Sequence, residues 1–115
     1  MTTPSAAELE TYKNHSRVLL VFAPSAKDES YLEQKRLLGD AETGLRERDV
    51  VVLEPTGKTS QPFRDRFDVF KSFTVVLIGK DGGEKERFLE PVQPALLFGV
   101  IDQMPMRRRE IKKGQ

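Results

Sequence analysis

The chain has 115 residues, 37% of them hydrophobic, and its 19 lysines and arginines against 18 acids leave a formal net charge of +1. That length suits one domain with enough core to fold without staples. There is no cysteine, which excludes disulfides, thiolate metal sites and a cysteine nucleophile, and the single histidine, His15, excludes a multi-histidine zinc centre.

No apolar run approaches the ~20 residues of a membrane span. The first residues carry neither a basic n-region nor an apolar h-region. As written the chain reads as cytoplasmic, or as periplasmic if it is the processed form of a longer precursor.

Thr3 to Asn14 predicts a short leading helix, with Ser5 and Glu8 as a capping box and Leu9 and Tyr12 on one face. Arg17 to Ala23 is a continuous apolar run of strand length, suited to a strand covered on both faces. Pro24 ends it, and Ser25 at N-cap with Asp28 at N3 opens a helix that reaches Gly44 as its terminator. Gly39 weakens that helix by about 1 kcal/mol relative to alanine. Asp49 to Glu54 is a second buried-type strand, and Pro55-Thr56-Gly57 opens a loop. Pro62 stands at the first turn of a short helix whose Phe63, Phe67 and Phe70 form an apolar stripe read as core ahead of a ligand-stacking platform.

Phe73 to Gly79 is the most concentrated apolar and β-branched block. Asp81-Gly82-Gly83 supplies a tight turn, and Glu84 to Leu89 returns as a more polar edge strand. Pro94 to Gln103 is a last helix, with Leu97, Val100, Ile101 and Met104 on one face; Pro105 stops it and a basic segment follows.

Helices between the first strands argue a parallel β-α-β unit, and the turn at Asp81-Gly82-Gly83 makes the last strand pair antiparallel. The expected architecture is α/β and thioredoxin-like, a mixed four-stranded sheet with helices on both faces. Residues 1–15 form a helical lead, 16–106 the domain and 107–115 a basic tail.

Phe22-Ala23-Pro24, Glu47 to Val52, Val75 to Gly83 and Ile101 to Arg108 carry a family likeness. Together they resemble a bacterial domain of unknown function with a thioredoxin-like fold, related to domains of sushi-repeat-containing secreted animal proteins. The likeness covers about residues 17–110. It implies the fold and a distant relation to peroxiredoxins, which suggests redox chemistry only by analogy. It transfers no catalytic residue.

Thiol enzymes of this fold place a thiolate after the first strand, at the start of the next helix. Ala23 to Glu29 stands there without sulfur. Such enzymes also place a cis-proline before the third strand, and here Lys71-Ser72-Phe73 has none. The candidate binding region is therefore Pro24, Ser25, Lys27, Asp28 and Ser72, with no catalytic residue, cofactor or metal assigned. Ser25 lacks a base in reach and reads as a cap. Asp28 and Glu29 would repel an anion at that helix start. Asp81-Gly82-Gly83 has neither phosphate-loop nor calcium-loop spacing. His15 reads as a surface residue. The segment Arg107 to Lys113 offers nucleic acid or anionic lipid electrostatic attraction without aromatic stacking, which disfavours nucleic acid as a partner; the pattern Met104 to Arg108 hints that part of it packs on the domain.

The first expectation is thus a non-catalytic module that binds a protein or small ligand. The alternatives are a cysteine-independent enzyme of peroxiredoxin-like descent and an anion or nucleic-acid binder acting through the tail.

Overall fold

The computed structural model describes residues 6–55 and 60–114. In chain order it has α1 (Ala6–Tyr12), β1 (Arg17–Phe22), α2 (Glu29–Gly39), α3 (Glu42–Glu47), β2 (Val50–Leu53), α4 (Gln61–Arg66), β3 (Thr74–Ile78), β4 (Glu84–Phe88), α5 (Pro94–Asp102) and α6 (Pro105–Lys113). The Ser5–Glu8 capping box and the loop residues Thr56 and Gly57 lie outside the described residues.

The four strands form one sheet in the order β2-β1-β3-β4. β1 runs parallel to β2, with Arg17 opposite Val50 and Leu20 opposite Leu53, and antiparallel to β3. β3 and β4 make the antiparallel hairpin that the Asp-Gly-Gly turn encodes. Gly82 takes φ 87° at that turn, a conformation that disfavours a side chain.

Every residue of β1 and β3 is buried, because helices cover both faces. Alternation sends successive side chains to opposite sides. Leu19, Val21, Val75 and Leu77 meet Tyr31 and Leu38 of α2, Leu45 of α3 and Leu97 and Ile101 of α5. Val18, Leu20, Phe22, Val76 and Ile78 meet Leu9 of α1, Phe63 of α4 and Val69. A polar residue works inside the first cluster: the fully buried Gln34 amide donates to Val92 O at 3.1 Å and accepts from Val92 N at 2.8 Å, which fixes the loop ahead of α5.

Three expectations fail locally. The helix expected up to Gly44 stops at Gly39 and restarts at Glu42. Gly44 lies within α3 and is a close-approach residue, not a terminator: a Cβ there would stand 2.6 Å from the Phe98 ring. The phenylalanine stripe is also broken. α4 ends at Arg66 and Asp68 takes φ 53°, so Phe63 is core while Phe70 is 89% exposed. Val69 is buried in its stead.

The segment after Pro105 is helical. Pro105 opens α6 at its first turn, a position where its missing N–H costs nothing. Glu110 ties this helix to the sheet. Its carboxylate receives Arg17 Nη1 at 3.2 Å, Arg17 Nη2 at 3.1 Å and Lys80 Nζ at 2.8 Å. Arg17 opens β1 and its side chain is only 1% exposed; it also donates to Arg48 O at 2.7 Å. Burial alone would raise the Glu110 pKa, but the hydrogen bonds and charges of Arg17 and Lys80 outweigh it and the pKa falls. A neighbouring pair repeats the device: Asp102 accepts from Arg48 and Arg107.

Candidate functional site

The C-terminal end of β1 is where the sheet hands the chain to α2. Ala23 is fully buried, and Pro24 cannot extend the ladder. Ser25 Oγ then accepts from Lys27 N at 3.2 Å, which closes a tight turn. Asp28, not Ser25, caps α2: its carboxylate accepts from Tyr31 N at 3.0 Å. The expected cap at Ser25 is thus shifted by three residues. The physical reason is that Ser25 spends its acceptor on the turn, while the carboxylate complements the helix dipole better than a hydroxyl.

Beside this turn lies an open depression of about 440 Å³. Ala23 and Pro24 form one side, Gln61 and Arg64 of α4 another, and Val69, Phe70 and Ser72 the third. Of the five residues expected from the sequence, the fold brings Pro24 and Ser72 together here. Ser25, Lys27 and Asp28 sit on the adjoining loop and do not line it.

Arg64 organises the third side. Its Nη1 donates to Lys71 O and its Nη2 to Ser72 O, both at 2.8 Å, and its Nε reaches Ser60 Oγ at 3.3 Å. The guanidinium lies 5.6 Å from the centroid of the Phe22 ring. Desolvation lowers its pKa, yet a guanidinium stays protonated in a protein. Arg64 therefore clamps the 71–72 backbone, and no cis peptide occurs among the described residues.

Sequence reasoning leaves out Arg64 and counts Phe70 as core. Phe70 was hidden by a periodicity that matched a helix longer than the one that forms. Arg64 left no signal, since its role rests on carbonyls that only the fold brings near.

What this site can do chemically follows from its groups. No sulfur is present in the chain at a position able to form a thiolate. Among the described residues no three acids or histidines gather as a metal site. His15 is exposed and does not line the depression. The side chains on offer are an exposed aromatic ring, a proline, a serine, an amide and a cation.

Residues 8–110 match the family described as a domain of unknown function, DUF4174. Human sushi repeat-containing protein SRPX is 31% identical over 125 aligned positions, which cover 93% of this chain. They cover 27% of SRPX, so the chain spans about a quarter of the length of the curated relatives it matches. Among solved structures, a reduced 2-Cys peroxiredoxin from Plasmodium vivax superposes with a TM-score of 0.71 at 14% identity, over 89% of this chain and 83% of that one. The protein Trxlp from Edwardsiella tarda superposes at 0.70 with 20% identity, over 86% and 95%. These likenesses establish the thioredoxin-like fold.

Proposed function

The chain belongs to the DUF4174 family, and we propose that within it this domain is a non-catalytic binding module that holds a protein segment in the depression between Pro24 and Ser72. The observation that carries the reading is Phe70, 89% exposed on the rim of that depression. Large aromatic rings are the usual anchors of protein interfaces. The depression is open to solvent, whereas small-molecule sites enclose most of their ligand. Arg64 supports the reading in a second way: by fixing the Lys71 and Ser72 carbonyls it holds the rim rigid, which lowers the ordering cost of association.

The cysteine-independent enzyme has no base and nucleophile pair to support it at this site. The reading through the basic segment loses part of its charge, because Arg107 is paired with Asp102 and its side chain is 14% exposed.

Selection of a random-peptide display library on the purified domain tests the proposal. Peptides should be enriched whose affinity falls about 30-fold for Phe70→Ala, the size expected of a hot-spot aromatic. Enriched peptides that bind Phe70→Ala and the wild type equally would refute it.

A further inference from the structure

The two edges of the sheet are built differently. β4 carries Glu84, Lys85, Glu86 and Arg87, and its pairing with β3 is irregular between Leu77 and Ile78. Charge and irregular register are the devices that keep an edge from pairing with another chain. β2, at the other edge, is Val50-Val51-Val52-Leu53 with no charge and no irregularity, and all four residues are only half-buried although helices lie on both faces.

The direction of its hydrogen bonds can be read from its two ends. Asp49 O accepts from Arg17 N and Pro55 O accepts from Ala23 N, so the odd-numbered residues face β1. Strand alternation then turns the N–H and C=O of Val50, Val52 and Glu54 outward. Among the described residues no hydrogen bond reaches those backbone groups. Beside them opens a groove of about 240 Å³ lined by the apolar Leu38, Leu45 and Val52 and by Lys35, Glu42 and Glu54.

We propose that this edge is an interface between two copies of the chain, joined antiparallel through β2 into one continuous sheet. The register follows from the outward groups. Centring the pair on Val52 sets Val50 against the second copy's Glu54, Val51 against its Leu53 and Val52 against its Val52, so outward groups meet outward groups along the edge. No like charges stand opposite each other, because each Glu54 faces a valine. Val50 and Val52 of one copy share a face with the groove of the other, where Leu38, Leu45 and Val52 offer apolar contact and the volume admits such side chains. The strand is thus complementary to itself in polarity and hydrogen bonding, as an isologous two-fold interface requires.

The test is sedimentation of the full chain over a concentration series, beside amide hydrogen exchange followed by NMR. The mass should rise from monomer to dimer with concentration. The Val50, Val52 and Glu54 amides should exchange at least about tenfold more slowly in the dimer, while Leu53, bonded to β1, is protected throughout. Val52→Pro removes an outward N–H and is tolerated on an edge strand, so it should give a folded monomer. A chain that stays monomeric at millimolar concentration overturns the proposal. So does a dimer whose Val52 amide exchanges at the monomer rate, or one that survives in folded Val52→Pro. If that variant does not fold, the exchange of the wild type decides alone.

Discussion

Glu110→Ala tests how the last helix is attached. The substitution removes the carboxylate that receives Arg17 at 3.1 and 3.2 Å and Lys80 at 2.8 Å. Lys80 keeps Asp49, also at 2.8 Å. Arg17 keeps one carbonyl, and its Nε already lacks a partner. Its positive charge would then be buried without compensation. Breaking such a pair from one side costs about 3–5 kcal/mol. Glu110 is 27% exposed, so water can enter the vacated space, and the low end applies, about 3 kcal/mol. At about 4 °C per kcal/mol for a domain of this size, the midpoint should fall by about 12 °C. Urea unfolding followed by circular dichroism reads the free energy, and calorimetry the midpoint. Removing both charges, with Arg17→Met and Glu110→Leu together, should return stability to within about 1 kcal/mol of the wild type. A single variant within about 0.5 kcal/mol of the wild type would refute the reasoning, since surface substitutions cost that little.

The Glu110 and Asp102 pKa values lie below their ordinary ones, so their contribution is present above the unfolded pKa and lost as pH falls through the folded value; urea midpoints should be level from about pH 7 to 5, fall below about pH 4, and fall less steeply in Glu110→Ala. Deleting residues 112–115 should leave the melting temperature within about 1 °C, because the exposed end of α6 lies beyond Glu110, whereas deletion from Leu97 onward should abolish cooperative unfolding, since Leu97 and Ile101 are fully buried. Phe63→Ala should cost about 3–4 kcal/mol and Phe70→Ala under about 0.5, as judged by urea unfolding, because the first ring is core and the second is solvated. Insulin-reduction and peroxide-consumption assays should match a no-protein blank, as both reactions run through a thiolate and the chain has no cysteine.

The sheet was legible in the sequence because its signals are local and mutually consistent. Arg17 to Ala23 and Phe73 to Gly79 are apolar without alternation, and only strands covered on both faces need that. The Asp81-Gly82-Gly83 turn encodes the hairpin through a positive φ at Gly82. The helices were less legible where tertiary contact overrides periodicity. Gly44 looks like a terminator on propensity alone, yet it exists to admit Phe98 from a helix fifty residues away. Phe70 continues the i, i+4, i+7 stripe in sequence, but the chain turns at Asp68 and carries the ring outside. Arg107 to Lys113 reads mostly as a solvated basic end because charge runs usually are, with only the Met104 to Arg108 pattern hinting at packing. Its one acid, Glu110, is the residue that meets the buried Arg17, and nothing in either segment alone announces that pairing. At the candidate site the sequence points to Pro24 and Ser72, which the fold places on one depression, and to Ser25, Lys27 and Asp28, which do not line it. It could not show that Arg64 fixes the Ser72 backbone, because a side chain bonded to distant carbonyls has no motif.

Titrating the isotope-labelled domain with a display-selected peptide and following the amide spectrum shows whether the depression at the end of β1 holds a protein segment. Shifts should concentrate at Ala23, Gln61, Arg64 and Val69 to Ser72 and saturate with peptide. Saturable shifts confined to other surfaces, with these residues unmoved, would contradict it.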